Sequence, residues 1–390
     1  MSFPLLSRGI VDVIERAPLE KLLQSGKKLR IKFGIDPTGS DLHLGHCVPL
    51  KKLRQFQDAG HHILLLFGTF TGKIGDPTGK DKLRKPLTDE NIVENMKTYL
   101  AQAGKILDLT KTKIVKNGDW LSKMNFEEVL RLASAFTASQ MMQRDMFQER
   151  LKKGLDINLV EFFYPLMQGY DSVAIKADIE MGGTDQLFNL MAGRRIQEHF
   201  GLAPQAILTV PILEGLDGHE KMSKSLNNFV GITESPREMF GKLMSIPDAL
   251  MRKYFELLTD ISEEEIADIL AEHPREAKLT LAKRITSDFH TPEEGERAKA
   301  EFLEIFSKRD ENTVPEDAPI IELLAGTYSV LDLAVKSGLF PSSTEARRKI
   351  IEGAVKIDGE KQEDPNAPVI LNDGEKVFQM GKRKFCRMKV

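Results

Sequence analysis

The chain has 390 residues, of which 41% are hydrophobic and 29% charged, and its formal net charge is −3 at pH 7. Counted at roughly 150 residues per domain, this length predicts two or three domains, and the composition is typical of globular proteins that bury a sizeable core. The net charge argues against a general polyanion-binding surface, although basic side chains outnumber acidic ones from Leu331 to Val390, which is one place for a nucleic acid.

The sequence also predicts a cytoplasmic protein that does not enter membranes. No apolar run approaches the roughly 20 residues of a bilayer span, and the N-terminus lacks the apolar core of a signal peptide. The two cysteines, Cys47 and Cys386, are far apart in the sequence, so neither a disulfide framework nor a cysteine zinc site is expected. A reducing compartment fits this pattern.

The N-terminal region predicts a βαβ unit. Apolar and polar residues alternate from Leu29 to Ile35 with the period of a strand, which Pro37 ends. Apolar residues then recur at helical spacing from Cys47 to Ala59, and an apolar strand follows from His62 to Phe67. Because such units place ligands at the carboxyl ends of parallel strands, we expect the functional site beside the end of the first strand.

The remaining sequence predicts more α/β structure, then helices, then a small separate unit. The predicted helices are 88–105, 125–153, 157–175 and 184–200, and the predicted strands lie near 178–181 and 207–212. We therefore expect four regions. They are an α/β catalytic domain at 1–235, a helical domain at 236–306, a linker at 307–328 and an α+β domain at 329–390.

The segment Asp41-Leu-His-Leu-Gly-His46 lies between the first strand and its helix. Its histidines, His43 and His46, are spaced as on one face of a first helical turn, where free N–H groups favour a phosphate. Gly45 lets a planar base or ribose approach the backbone closely. Pro49 predicts that the helix begins near His46 or Cys47, which places His43 in the preceding loop. An isolated pair of this kind is more often solvated or buried in a core, and a zinc site is weaker still because no further ligand lies nearby.

A second candidate is the segment Lys221-Met-Ser-Lys-Ser225, which follows Gly215 and Gly218. On a glycine-hinged loop, Lys221 and Lys224 could cover a triphosphate and neutralise the charge that builds on departing pyrophosphate. Taken alone, the same segment would be a solvated charged loop.

The glycine-rich segment Gly68–Lys80 resembles a phosphate-binding P-loop but departs from that pattern. Ile74 and Asp81 stand where the pattern requires glycine and a hydroxyl residue. What remains is a loop after a strand that carries Asp76, an acid placed to receive an ammonium group. A simple turn is an equal alternative.

Three polar residues fall on one face of a predicted helix. Tyr164, Gln168 and Asp171 are spaced at i, i+4 and i+7, which aligns a hydroxyl, an amide and a carboxylate. Asp185 and Gln186 follow the next strand. Such groups are costly to bury unless a ligand satisfies them, although a helix whose polar face meets water remains the alternative.

Together, and in this order, these motifs resemble those of the class I aminoacyl-tRNA synthetases, and in particular the bacterial tyrosyl-tRNA synthetase family. The tail, with its segments 343–349 and 355–359, is similar to an S4 RNA-binding module. The resemblance implies a Rossmann-like parallel-sheet catalytic domain, a helical domain and an S4-like α+β domain. It implies that ATP and L-tyrosine form tyrosyl-adenylate, and that tRNA(Tyr) then receives the tyrosine while AMP and pyrophosphate are released. It also implies Mg²⁺ with the ATP and a homodimer.

The resemblance further implies a role for each motif residue. Catalysis is assigned to His43, His46, Lys80, Arg84, Lys221 and Lys224. ATP binding is assigned to Asp36, Thr38, Gly45, His46, Asp185 and Lys224. Tyrosine binding is assigned to Asp76, Tyr164, Gln168, Asp171 and Gln186, with Asp171 as the acceptor for the phenol hydroxyl. No metal ligand is assigned among the protein residues.

Position 32 departs from the commoner family pattern, which has a tyrosine there that donates to the substrate hydroxyl. This chain has Lys32 instead. Whether Asp171 acts together with Lys32 or with a water molecule therefore stays open.

Two other functional classes also fit parts of the sequence. A small-molecule nucleotidyltransferase would share the histidine motif but does not account for the S4-like tail. A non-catalytic RNA-binding protein would account for the tail, and it is disfavoured because both signature segments are intact.

Overall fold

The computed structural model describes most of the chain. The described residues are 4–39, 41–77, 87–307, 318–340, 342–372, 374–381 and 384–390. The chain divides into two compact units, residues 1–299 and residues 300–390. No helix among these described residues is long and apolar enough to cross a membrane.

The first unit is built on a six-stranded sheet with the order β1–β6–β5–β2–β3–β4. Its strands are β1 (Val13–Ile14), β2 (Arg30–Ile35), β3 (His62–Phe67), β4 (Thr112–Lys116), β5 (Ile179–Gly183) and β6 (Ala206–Val210). All neighbouring strands are parallel except β1, which is antiparallel to β6. The chain leaves β2 towards β4 on one side and returns to β5 on the other, so a crevice is expected at the carboxyl ends of β2 and β5.

The predicted strands of this sheet are confirmed, and their burial explains their sequence. From Ile63 to Phe67 every side chain of β3 is buried, as is typical of a parallel strand covered on both faces. The fold class expected from the sequence, a parallel-sheet α/β domain, is therefore confirmed.

Helices surround the sheet. They are α1 (Arg16–Gln24), α2 (Leu44–Asp58), α3 (Asp89–Ala103), α4 (Gly118–Leu121), α5 (Phe126–Ala133), α6 (Ala138–Met142), α7 (Asp145–Lys152), α8 (Leu159–Ile175) and α9 (Leu187–His199). Helix α2 begins at Leu44, two residues before the predicted start near His46, with Pro49 inside it, whereas His43 precedes the helix as predicted. The missing N–H of Pro49 costs α2 one hydrogen bond, to the carbonyl of Gly45, which the helix tolerates.

The prediction of one helix over 125–153 is wrong, because the structure has α5, α6 and α7 there. Thr137 has extended backbone angles, and its hydroxyl accepts a hydrogen bond from Gln140 N at 3.2 Å. Arg144 is extended as well and precedes α7. A residue that caps a new helix cannot continue the old one, so the helix is broken at Thr137 and at Arg144. The apolar periodicity of the sequence continues across both breaks and therefore does not reveal them.

A helical region follows the sheet, and its last helix continues past residue 299, where the first unit ends. Its helices are α10 (Pro236–Ser245), α11 (Met251–Leu258), α12 (Glu263–Ala271), α13 (Pro274–Phe289) and α14 (Pro292–Ser307). The start of α14 is capped, since the hydroxyl of Thr291 accepts from Glu294 N at 3.2 Å. Phe240 and Leu281 lie in the core where α10 packs on α13.

The second unit is a small α+β fold. One sheet has the order β10–β9–β12–β13–β7, and a second pairs β11 with β8. The strands are β7 (Ile320–Glu322), β8 (Gly326–Ser329), β9 (Val355–Ile357), β10 (Glu360–Gln362), β11 (Pro368–Leu371), β12 (Glu375–Met380) and β13 (Lys384–Lys389). Helices α15 (Val330–Lys336) and α16 (Ser343–Ile351) complete it, and Leu333, Ile350 and Phe378 lie in its core.

Candidate active site

A cavity of about 310 Å³ lies at the carboxyl ends of β2 and β5. Segments that are far apart in the sequence meet there. The predicted site residues that line it are Asp36, Asp76, Tyr164, Gln168, Asp171, Asp185, Gln186 and Lys221. The structure therefore brings together eight of the residues expected from the sequence, at the position that a parallel sheet favours.

Tyr164 and Asp36 form the first polar contact of this cavity. The Tyr164 hydroxyl donates to Asp36 Oδ2 at 2.8 Å, and the hydroxyl of Thr71 donates to Asp36 Oδ1 at 2.8 Å. Burial and the nearby carboxylates raise the pKa of Tyr164 well above its usual value. The phenol therefore stays neutral, and its oxygen is free to accept a hydrogen bond from a cationic group.

Asp76 and Gln186 form a second contact on the same wall. The amide of Gln186 donates to Asp76 Oδ2 at 2.8 Å and accepts from Asn189 Nδ2 at 2.8 Å. Asn189 in turn accepts from the buried guanidinium of Arg144 at 3.3 Å. Because the side-chain amides of Gln186 and Asn189 each both donate and accept a hydrogen bond, the orientation of Gln186 in the cavity is fixed.

Asp171 is a buried carboxylate, only 1% exposed. Trp120 Nε1 donates to its Oδ1 at 2.9 Å, and Asn117 Nδ2 lies 3.3 Å from its Oδ2. Burial raises the pKa of Asp171 to about 7, against the opposing effects of Lys32 and of these two donors, while Glu180 raises it further. This carboxyl therefore changes charge near neutral pH.

Lys32 and Glu180 form an ion pair beside Asp171. Lys32 Nζ lies 2.9 Å from Glu180 Oε1, and both side chains are at most 1% exposed. Lys32 also donates to the carbonyl of Gln168 at 2.6 Å and to the hydroxyl of Ser172 at 2.9 Å. An ammonium group has three N–H donors, so all the donors of Lys32 are used within the protein.

The two signature histidines lie together at the start of α2. The backbone N–H of His43 donates to His46 Nδ1 at 3.2 Å, and the two ring centroids are 3.9 Å apart. Burial lowers the pKa of His43 to about 2 and that of His46 to about 4, helped in both by the charge of Lys224. Both imidazoles are therefore uncharged at neutral pH and act as hydrogen-bonding groups.

Gly45 is required by this packing. A Cβ atom at Gly45 would lie 3.0 Å from the ring of His43 and 3.6 Å from Cβ of Met222. The contact with Met222 shows that the second signature segment packs against the first. Leu44 N also donates to the carbonyl of Val230 at 3.0 Å. Val230 lies five residues after the second signature segment.

The lysines of the second segment face acids of the site. Lys221 Nζ lies 3.7 Å from Asp185 Oδ2, and Lys224 Nζ lies 3.1 Å from Asp41 Oδ2. The segment is held at its base by Asn228, which accepts from Ser223 N at 2.8 Å and donates to the carbonyl of Lys221 at 3.2 Å.

Some predicted residues do not line the cavity, or fall outside the described part of the chain. His43, Gly45, His46 and Lys224 are not among the lining residues, and neither is Thr38, whose N–H donates to the carbonyl of Asp36 at 2.7 Å. Lys80 and Arg84 fall in 78–86, outside the described residues, and their roles stay predictions.

Several residues of the site were missed by the sequence analysis. They are Thr71, Asn117, Trp120, Ser172, Glu180 and Gln205. A signal existed for Glu180, because a charged residue inside a buried strand needs a partner, and Lys32 occupies the paired position of the neighbouring strand. No comparable pattern marks Trp120, which meets Asp171 from a short helix.

Comparisons with known proteins give matches over nearly the whole chain. Residues 24–307 match the family model described as class I tRNA synthetases for tryptophan and tyrosine (W and Y). Residues 311–388 match the model of a tyrosine--tRNA ligase SYY-like C-terminal domain. The chain is 48% identical to the tyrosine--tRNA ligase of Moorella thermoacetica over 98% of this chain and 94% of that protein. It is 47% identical to the enzyme of the same name from Thermotoga maritima over 98% and 96%.

Solved structures share the fold. The mitochondrial tyrosyl-tRNA synthetase of Aspergillus nidulans, truncated at its C-terminus, covers 77% of this chain and 92% of its own with a TM-score of 0.63 and 23% identity. The Archaeoglobus fulgidus tyrosyl-tRNA synthetase solved with L-tyrosine covers 76% and 98% with a TM-score of 0.61 and 23% identity.

Proposed function

Because this chain belongs to the class I tRNA synthetase family of tryptophan and tyrosine enzymes, we propose specific roles in tyrosine activation for the residues of its cavity and of its two signature segments. The chain is an enzyme that attaches tyrosine to tRNA(Tyr) through tyrosyl-adenylate, with ATP as substrate and AMP and pyrophosphate as products. One observation carries the assignment of roles: the polar residues expected to hold tyrosine line one cavity, and both signature segments meet beside it.

The tyrosine substrate is bound by the polar wall of the cavity. Asp76, Tyr164 and Gln168 hold its ammonium group, because they offer a carboxylate and neutral oxygen acceptors on one side. Gln186, fixed by Asp76 and Asn189, lies at the reacting carboxylate. This arrangement would align the substrate carboxylate with the triphosphate without a covalent enzyme intermediate.

The phenol end of tyrosine reaches Asp171. Phenylalanine in the same position would leave this buried carboxyl without the donor that the hydroxyl supplies, and an unsatisfied buried polar group is costly. Because the donors of Lys32 are already used, Asp171 acts with Trp120 and Asn117 rather than with Lys32.

ATP lies over the carboxyl end of β2. Asp36, Thr38 and Gly45 line the nucleotide, and Asp185 accepts from its ribose. The uncharged His43 and His46 donate hydrogen bonds to the phosphates at the start of α2, where the helix dipole also favours an anion. Lys80 and Arg84 would add positive charge near the phosphates.

The chemical step needs charge stabilisation rather than an enzyme nucleophile. The tyrosine carboxylate attacks the α-phosphate, the bond to the bridging oxygen breaks, and the leaving pyrophosphate gains negative charge. Lys221 and Lys224 neutralise this charge once they leave Asp185 and Asp41. The terminal ribose hydroxyl of tRNA(Tyr) then attacks the acyl carbon and releases AMP.

Mg²⁺ accompanies the ATP. The described residues contain no group of three or more His, Cys, Asp or Glu that could hold a metal ion. We expect the ion to be bound mainly by phosphate oxygens and water, as is usual for magnesium nucleotides, where it would partly neutralise the triphosphate.

The second unit binds tRNA(Tyr). Its helix α16 exposes Arg347 and Arg348, and a cationic helix face suits the phosphate backbone of a nucleic acid.

The proposed functional division of the chain is 1–235, 236–306, 307–328 and 329–390.

The enzyme acts as a homodimer. Large apolar side chains are exposed on α5, on α7, between α7 and α8, and at the start of α8, and a second copy of the chain would cover them. They are Phe126, Leu130, Leu151, Leu155, Leu159 and Val160. Phe126 is 76% exposed and Leu159 is 73% exposed, which is costly for a monomer. Sedimentation of the parent and of a Leu159→Glu variant tests this proposal.

The reaction takes place in the cytoplasm. Cys47 and Cys386 are both free and buried, which suits a reducing compartment. Fractionation of cells that produce the tagged chain would show whether it is found in the cytoplasmic fraction.

Exchange of labelled pyrophosphate into ATP, measured with each amino acid in turn, tests the activation step. We expect exchange with tyrosine and much less with phenylalanine. Exchange that depends on no amino acid, or on another one, would contradict the function and favour a different nucleotidyltransferase.

A further inference from the structure

The ion pair of Lys32 and Glu180 belongs to a closed buried network. Glu180 accepts from Lys32 at 2.9 Å, from Ser172 at 3.0 Å and from Gln168 Nε2 at 3.2 Å. Lys32 and Gln168 contact Oε1 of Glu180, whereas Ser172 and the side-chain amide of Gln205 donate to Oε2. The network joins β2, β5 and α8 at the floor of the cavity.

Burial of such a pair is not explained by stability. Removing two charges from water costs several kcal/mol per ion, and replacing a buried pair with apolar residues is often neutral or stabilising. Lys32 and Glu180 line the cavity and occupy paired positions on neighbouring strands. A buried ion pair in the wall of a binding cavity therefore points to a role in substrate binding.

The network surrounds Asp171 on its own helix. Lys32 donates to the carbonyl of Gln168, three residues before Asp171 on α8, and to the hydroxyl of Ser172, the residue after it. The pair therefore holds the turn that carries Asp171. It also places a positive and a negative charge near a carboxyl that is only 1% exposed, where solvent screens little.

We propose that Lys32 and Glu180 are positioning residues that determine specificity: their hydrogen bonds fix the turn of α8 that presents Asp171 to a phenol, and their two opposed charges lie beside that carboxyl. Lys32 favours the carboxylate form of Asp171, which accepts from a phenol hydroxyl. Glu180 opposes this form, and it also prevents Lys32 from binding a ligand directly. The specificity part of this inference rests on the proposed function, whereas the effect on Asp171 does not.

Trp120 provides a direct readout of Asp171 without any substrate. It is the single tryptophan of the chain, and its indole N–H donates to Asp171 Oδ1 at 2.9 Å. Protonation of Asp171 weakens this charge-assisted hydrogen bond. The emission of Trp120 should therefore follow the titration of Asp171 near neutral pH.

The charged neighbours of Asp171 predict opposite effects for the two variants. Lys32→Met removes a positive charge and should move the fluorescence midpoint up by about one pH unit, whereas Glu180→Gln should move it down by a similar amount. Tyr164 also faces Asp171, but it is neutral in this pH range. The double variant Lys32→Met/Glu180→Gln leaves no unpaired charge, so it should fold, and its midpoint should lie between those of the single variants.

Three controls identify the signal. Asp171→Asn should abolish the transition. His62 lines a groove on which Trp120 also lies, and His62→Asn should leave the transition in place. Lys27→Met breaks an exposed ion pair with Asp178 beside the same two strands, and it should not move the midpoint.

Activity separates specificity from a structural role. In pyrophosphate exchange, Lys32→Met should raise KM for tyrosine, leave KM for ATP unchanged and lower the preference for tyrosine over phenylalanine by about tenfold or more. The proposal is overturned if folded Lys32→Met and Glu180→Gln shift the midpoint in the same direction or not at all. It is also overturned if both variants keep the parent preference. Absence of tyrosine-dependent exchange in the parent would instead contradict the proposed function, and the fluorescence result would remain.

Discussion

The ammonium group of Lys224 lies 3.1 Å from the carboxylate of Asp41, so the second signature segment contacts the first across 183 residues of sequence. Asp41 precedes the histidine pair, and the charge of Lys224 lowers the pKa of both imidazoles. The cation is therefore already placed beside the groups expected to hold the triphosphate. An anion at this place would compete with Asp41 for Lys224.

Replacing Lys221 or Lys224 with alanine should slow adenylate formation by about 10²–10³-fold, because each removes a cation from the developing pyrophosphate. Affinity for tyrosine should stay close to that of the parent, since neither lysine faces the phenol end of the cavity. Rapid-quench measurement of a single turnover, together with equilibrium binding of tyrosine, tests both points.

Lys253→Ala is the matched control for these variants. Lys253 forms a 2.7 Å ion pair with Glu214, just before the same loop, but lies outside the cavity. It should react at the parent rate. Parent-like single-turnover rates in Lys221→Ala and Lys224→Ala would remove the two lysines from the mechanism.

Asn228→Ala should loosen the second signature segment. Asn228 is buried and bonds to Ser223 and Lys221, and its side chain also donates to Asp217. Gly215 packs so closely that a Cβ atom there would lie 2.3 Å from Asn228 Cγ. We expect a lower kcat and a higher KM for ATP, with KM for tyrosine unchanged, in steady-state exchange assays.

The neighbouring residue provides the control. Asn227 is exposed and has a φ of 51°, which glycine adopts readily, so Asn227→Gly should keep parent kinetics. Equal losses in both variants would mean that the segment depends on its general flexibility rather than on Asn228.

The histidine pair predicts acid sensitivity. His46 has a pKa of about 4 in the folded chain, below the ordinary value of 6.5, so the unfolded chain binds a proton more readily. The stability that follows is present above pH 6.5 and is lost as the pH falls towards 4. Between pH 7 and pH 5 this histidine should account for up to about 2 kcal/mol of lost unfolding free energy.

His46→Asn tests this linkage, because an asparagine oxygen can still accept from His43 N. Urea unfolding at pH 7 and pH 5 should show a smaller loss in the variant than in the parent. The exposed His199→Asn should behave as the parent does. An identical loss in His46→Asn would show that other groups control acid unfolding.

Periodicity and motif order predicted four of the six strands of the first sheet, β2, β3, β5 and β6, and the place of the cavity, whereas β1 and β4 were not predicted. Buried strands such as β3 are continuous apolar runs, and the carboxyl ends of parallel strands converge by geometry. The helix breaks at Thr137 and Arg144 could not be predicted, because apolar spacing continues across them.

Contacts between distant segments were also beyond the sequence. Trp120 reaches Asp171 from an element 51 residues away, and nothing in the local pattern links them. The pair of Lys32 and Glu180 was partly predictable. Each is a charged residue inside an apolar strand, which indicates a buried partner, but only the observed register places the two side by side. The sequence alone therefore did not show that Lys32 is paired with Glu180.

A truncation that ends at residue 307 should separate activation from tRNA charging. The sheet and the cavity lie in the first unit, and α14 ends at Ser307. Strands β7 and β8 pair with β13 and β11, so a cut at 329 would instead leave two strands without their partners. We expect pyrophosphate exchange close to that of the full chain.

Charging of tRNA(Tyr) by the truncated chain should fall by about tenfold or more, since tenfold corresponds to only about 1.4 kcal/mol of lost binding. The full-length double variant Arg347→Gln/Arg348→Gln provides the matched test, because it removes exposed charge from α16 and keeps the fold. Its charging should weaken and become less sensitive to salt, since each lost phosphate contact reduces the salt dependence. Loss of exchange in a folded truncated chain would show that the second unit supports the catalytic unit structurally.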